Sequence, residues 1–292
     1  NTTVRTVAAQ GRAIVQSNAG DLTLERDIVS ATRDVAASAR NNLTVGTDSG
    51  LFGQTGVNLN ARNRDLQFDG VLQSGANATL YGRNSLSFGG YGTAAGDFSV
   101  GGRGTITLQD STVVANRMVV VPGSGAFALR NAAVFSGQNF NISTHHFSLG
   151  ENVYVEGRNV GEDSTLAVTA SGNFTNSADL EAGQLSNISF AGHLFNEAGG
   201  IIRDTRLNLT FGRDLHNSGV IFGTESLALN VASLFNNATG TILSDSVGIT
   251  TSAVLHNAGA ILSEGAATLV AGTQFRNEGL LQAIRATITA PS

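Results

Sequence analysis

Short apolar–small/polar–apolar triplets punctuate the chain at near-constant intervals. The first seven are Leu22-Thr23-Leu24, Leu43-Thr44-Val45, Leu66-Gln67-Phe68, Leu86-Ser87-Phe88, Ile106-Thr107-Leu108, Phe127-Ala128-Leu129 and Phe147-Ser148-Leu149. The series continues as Leu166-Ala167-Val168, Ile188-Ser189-Phe190, Leu207-Asn208-Leu209, Leu227-Ala228-Leu229, Val247-Gly248-Ile249, Ala267-Thr268-Leu269 and Ala286-Thr287-Ile288. All fourteen copies are spaced by 19–23 residues. Alternation with period two marks β-strands, and no stretch between turns has the length and 3.6-residue period of a helix. Gly, Asn, Ser and Asp lie between the apolar runs, where they favour turns. About three short strands fit each unit, which leaves no room for a crossover helix. The chain is therefore expected to turn corners and return above itself, its strands stacking in parallel about 4.8 Å apart. The predicted fold is all-β, a right-handed parallel β-helix of about 14 coils with roughly 20 residues per coil.

A second element sharpens the later repeats. Asn176, Asn196, Asn217, Asn236, Asn257 and Asn277 each end a short apolar segment, and they step by 20, 21, 19, 21 and 20 residues. Asn tolerates the left-handed backbone of a corner. Stacked at one corner of every coil, its amides can bond up and down as a ladder. A row of Asn ligands is the alternative reading. Alternation also predicts that Leu207, Leu209, Leu215, Ile221, Leu227, Leu229, Leu234 and Ile242 point inward, with Asn208 and Ala228 outward. The chain is expected to be one β-helical segment over 1–292. Residues 1–170 form less regular coils, and 171–290 form regular Asn-containing coils. Irregular stretches at Asp48–Gly56 and Gly89–Gly96 are candidate binding loops.

Composition narrows the functions. The chain has 292 residues, of which 41% are apolar, so it can build a core. All 17 basic residues are Arg, charged residues make up only 13%, and the net charge is −5. That balance does not suggest a nucleic-acid-binding surface. With no Cys, disulfides, thiolate metal sites and Cys nucleophiles are excluded. No run of 18 apolar residues exists, so no membrane-spanning helix is predicted. The start, Asn1-Thr2-Thr3-Val4-Arg5, is not a signal peptide, and the sequence is expected to be a piece of something longer.

Little chemistry stands out, and no enzyme, cofactor or metal is expected. Polysaccharide-cleaving β-helices need paired carboxylates, and the only adjacent acidic pair, Glu162-Asp163, lies in a Gly/Ser turn. Asp204, Glu225, Asp245 and Glu264 recur at steps of 21, 20 and 19, a possible acidic column able to hold calcium. Single carboxylates per coil are more often plain turn residues. His216 and His256 hold one place two coils apart, too far to share an ion. The side chains of His145-His146 would point to opposite faces of a strand.

The segments Leu215-His216-Asn217-Ser218-Gly219-Val220-Ile221 with Leu227-Ala228-Leu229, and Leu255-His256-Asn257-Ala258-Gly259-Ala260-Ile261, carry a resemblance. They resemble the shaft repeats of filamentous-haemagglutinin-type exoproteins of bacterial two-partner secretion, which include large adhesins and contact-dependent-inhibition proteins. The likeness is specific over 166–290 and weaker over 20–165. It implies a structural rod segment at the bacterial cell surface, exported through an outer-membrane secretion partner that reads a region absent here. A host or target-cell receptor or glycan is the implied contact. A receptor- or glycan-binding role for the irregular N-terminal coils is the alternative, and a polysaccharide-degrading enzyme is third. An open last coil is expected to favour end-to-end self-association.

Overall fold

A computed structural model describes residues 2–4, 7–26, 28–136, 140–149, 154–157, 165–170, 172–181 and 185–291. Among them every regular element is a β-strand. The chain divides into two compact units, residues 1–145 and 146–292. Each unit winds as a parallel β-solenoid with about 20 residues per turn, about 11 turns in all.

In the early part of the first unit each turn is built from three strands, which merge later into the long strands Leu86–Gly101 and Thr105–Ser136. One turn comprises Leu22–Leu24, Ile28–Ala31 and Asp34–Ala39, and the next comprises Leu43–Val45, Gly50–Gly53 and Gly56–Ala61. Each strand pairs in parallel with its counterpart one turn away, giving three ladders. Along the first ladder Leu22 faces Leu43, Leu43 faces Leu66, Leu66 faces Leu86 and Leu86 faces Ile106. The middle ladder runs through Val29, Leu51, Leu72 and Gly92. The third runs through Val35, Val57, Ala78 and Phe98. Alternation decides what lies inside: Leu22, Leu24, Leu43 and Val45 are fully buried while Thr23 and Thr44 between them are not.

In the second unit the first ladder passes through Phe174, Leu194, Leu215, Leu234, Leu255 and Phe275. The middle and third strands of a turn have merged into single long strands, Ile201–Phe211, Val220–Val231, Thr241–Thr251 and Ala260–Ala271. A register shift marks the corner in each of their pairings. Leu207, Leu209, Leu215, Ile221, Leu227, Leu229, Leu234 and Ile242 all point into the core. Asn208 is exposed and Ala228 partly so. Phe174, Phe190 and Phe211 stack inside with ring centroids 5.2 and 5.5 Å apart.

The turn count is about 11 rather than the expected 14, and the fourteen triplets are not one column. Phe147 pairs with Phe174, 27 residues on, rather than with Leu166. Leu166 pairs instead with Ser186 on the third ladder. The triplets at Phe147 and Leu166 are thus strands of one turn, and counting triplets counts that turn twice. This is also the longest turn of the second unit, exceeding the Leu43–Leu66 interval of 23 residues.

Candidate functional site

The Asn residues close one corner of the second unit. Asn176, Asn196, Asn217, Asn236 and Asn257 are buried, and Asn277 is exposed. Each amide nitrogen donates to the amide oxygen one turn on: Asn176 to Asn196 at 2.8 Å, Asn196 to Asn217 at 2.7 Å, and Asn217 to Asn236 at 2.8 Å. Asn236 donates to Asn257 and Asn257 to Asn277, both at 2.7 Å. The same nitrogens reach backbone carbonyls of the following middle strand, such as Val220 O at 3.2 Å and Ala260 O at 3.1 Å. The amide groups of the buried members are therefore occupied within the fold, as burial of polar atoms demands. A glycine follows each Asn from Asn196 onward within the corner, whereas Ser177 and Ala178 follow Asn176, and the reason for the glycines is a close approach. A Cβ on Gly240 would lie 2.3 Å from Asn217 O and 2.4 Å from Asn236 Oδ1. This ladder is a structural device with no amide left to hold a ligand.

The four acidic residues do not share one strand position. Asp204 pairs with Gly223, which pairs with Ser244, which pairs with Ser263. Glu225, Asp245 and Glu264 instead sit in the register shifts at the corner, exposed. The extra residues at each shift move them off the position that Asp204 occupies. Asp204 is buried and accepts hydrogen bonds from Ser186 Oγ at 2.5 Å and the Thr205 amide at 2.6 Å. The four carboxylates therefore give no shared calcium shell.

His216 and His256 are half-buried, outward members of the first ladder and are separated by Phe235. The His216 ring is sandwiched between Phe195 and Phe235, with centroids 5.3 and 5.0 Å away. His256 Nε2 lies 2.9 Å from Glu278 Oε2. This bond, followed by contact with Arg276, holds the Glu278 carboxyl below its ordinary range. Glu162 and Asp163 lie outside the described residues, as do the side chains of His145 and His146.

The first unit offers a different surface. An open groove of about 740 Å³ crosses its early turns, lined by Gln10, Thr32, Phe52, Gln54, Gln73 and several small residues. The irregular stretch at Asp48–Gly56 supplies its aromatic wall. Phe52 points outward and folds back over Gly50, where a Cβ would lie 2.4 Å from its ring. Sequence reading singled out that stretch, but not the Gln residues that the stacking of turns brings beside it. The chain matches no protein-family model, no curated protein and no solved structure.

Proposed function

We propose that the chain is a structural rod segment of a secreted, surface-displayed bacterial filamentous exoprotein, as its resemblance implies. The observation that carries this reading is the design of the turns. Each repeats the register of the last, and in the second unit an amide ladder ties them together. Such stacking transmits load through backbone bonds and a shared core. In this reading the winding is right-handed, the hand that parallel crossovers adopt. The segment is non-catalytic. It is exported through an outer-membrane partner that recognises a region outside these residues, and it projects or contributes a cell-contact surface.

The test uses the repeat itself. Deleting residues 215–233 joins Asp214 to Leu234 and preserves register, because Leu215 and Leu234 are counterparts. Placed between a surface anchor and a binding tip, the shortened segment should retain export and adhesion. Deleting about half a turn should abolish both by moving apolar positions to the outside. Loss of adhesion on removal of one whole turn, with export intact, would overturn the spacer reading.

The groove at Phe52 supports a second reading, a glycan- or receptor-binding surface. An aromatic ring beside amide side chains suits sugar hydroxyls and ring faces. Saturable binding of the chain to cells or arrayed glycans, lost in Phe52→Ser and Gln54→Ala, would favour it over a pure spacer.

A further inference from the structure

The geometry points to a transition-metal site at His193, Asp214 and His216, built from two imidazoles and one carboxylate and suited to zinc. One ligand atom from each residue lies within 4.8 Å of the others. The topology explains the meeting. Leu194 pairs with Leu215, so His193 and Asp214 hold the same place in consecutive turns, just before the first strand. His216 follows two residues after Asp214 and therefore emerges on the same outer face. His193 Nδ1 stands 3.5 Å from Asp214 Oδ2, with those side chains 28% and 32% exposed. Sequence spacing pairs His216 with His256, but His256 faces Glu278 instead.

The supporting shell is rigid. Leu194, Asn196, Leu215 and Asn217 are buried beside the candidate ligands and fix the backbone beneath them. The His216 ring is held between Phe195 and Phe235, and the His193 ring stacks 5.7 Å from Phe195. Ligand atoms around tetrahedral zinc sit about 3.3 Å apart, given metal–ligand distances of about 2.0–2.1 Å. The present group, within 4.8 Å, closes to that size on binding an ion. The imidazole–carboxylate set suits zinc, copper or nickel, whereas calcium and magnesium prefer all-oxygen shells. Three protein ligands leave an outer position for water or for a donor from another molecule. A bound ion would also clip two consecutive turns together from outside, opposite in character to the amide ladder within.

Calorimetric titration of zinc into the full, metal-free chain tests this. One saturable site of micromolar affinity or tighter is expected. His216→Phe keeps the ring stack, since Phe195 and Phe235 hold that position in the neighbouring turns. His193→Asn copies Asn173 of the preceding turn, whose neighbour Phe174 pairs with Leu194. Each variant should weaken zinc by more than about tenfold while leaving the circular dichroism spectrum unchanged. His256→Phe should leave zinc affinity as it was. Zinc should raise the melting temperature of the parent chain and not that of His216→Phe. Absence of saturable binding up to ~1 mM zinc, or binding that survives both His216→Phe and His193→Asn, overturns the site.

Discussion

The first ladder repeats an inward–outward–inward triplet, and the two units differ in what fills its third place. In the first unit that place holds Leu24, Val45, Phe68, Phe88 and Leu108, all fully buried. In the second it holds Asn176, Asn196, Asn217, Asn236 and Asn257, also buried. The backbone position is similar, but the means of filling it are opposite. Phe68 and Phe88 stack with centroids 5.0 Å apart, gaining from area and dispersion. The Asn side chains gain from a hydrogen-bond series in which each member serves two neighbours. An apolar column tolerates changes of size through repacking. An amide column has no such tolerance, because a missing member leaves both neighbours unpaired inside the core.

The comparison breaks hardest where the two solutions are exchanged. Phe68→Asn places one amide among apolar neighbours with no amide above or below it. It should destabilise the first unit by about 4 kcal/mol or more, combining a cavity with an unpaired buried amide. Urea unfolding would read this; a cost under about 1 kcal/mol would mean the column is not specific. Next in size, Asn236→Ala removes the partner of Asn217 Nδ2 and Asn257 Oδ1. It should cost about 1–3 kcal/mol. Asn277→Ala, at the exposed last rung, should cost well under half of that. Equal losses at the two sites would show that the ladder is not read by burial.

Gly240→Ala probes the corner that the ladder needs. The added methyl meets the Asn217 carbonyl and the Asn236 amide, so a loss of about 1–3 kcal/mol is expected in the same unfolding assay. Gly248, whose Cβ would meet only ordinary contact at 3.7 Å from Leu227 O, should accept alanine at little cost.

The smallest effect is electrostatic. Asp65 accepts hydrogen bonds from Ser85 Oγ at 2.7 Å and Asn84 Nδ2 at 2.9 Å. The Ser85 bond, chiefly, holds its carboxyl below the ordinary value of 3.8. A depressed folded-state value means this contribution is complete above the unfolded value and is lost as pH falls through the folded one. The first unit should therefore lose up to ~1 kcal/mol below about pH 4, and Asp65→Asn should remove that dependence. Thermal melts across acidic pH would check it. The amide ladder has no titrating group and contributes no such slope.

The strand content, the repeat length and the inward set around Leu207–Ile242 were legible from alternation alone, since a side chain's face follows from its parity on a strand. The Asn row was legible as a row, because identical residues at a repeat interval must stack once the coils do. The acidic row had a similar spacing and failed. Asp204 keeps strand register while Glu225, Asp245 and Glu264 fall where the long strands shift it, and sequence spacing does not say which residue of a corner is the extra one. The triplet series likewise moved from the first ladder to the third between Phe147 and Leu166 without breaking its rhythm.

Sequence by itself determined the solenoid of short parallel strands, because period-two alternation and turn residues recurring about every 20 positions leave the chain few other ways to bury its apolar face. Only the tertiary structure decided which residues meet across turns. Register set Asp204 against Gly223 rather than Glu225, placed His193 beside Asp214, and gathered Gln10, Gln54 and Gln73 around Phe52. Those neighbours are some 20 or 40 residues apart in the chain, one or two turns, and a shift of one position at any corner would have chosen others.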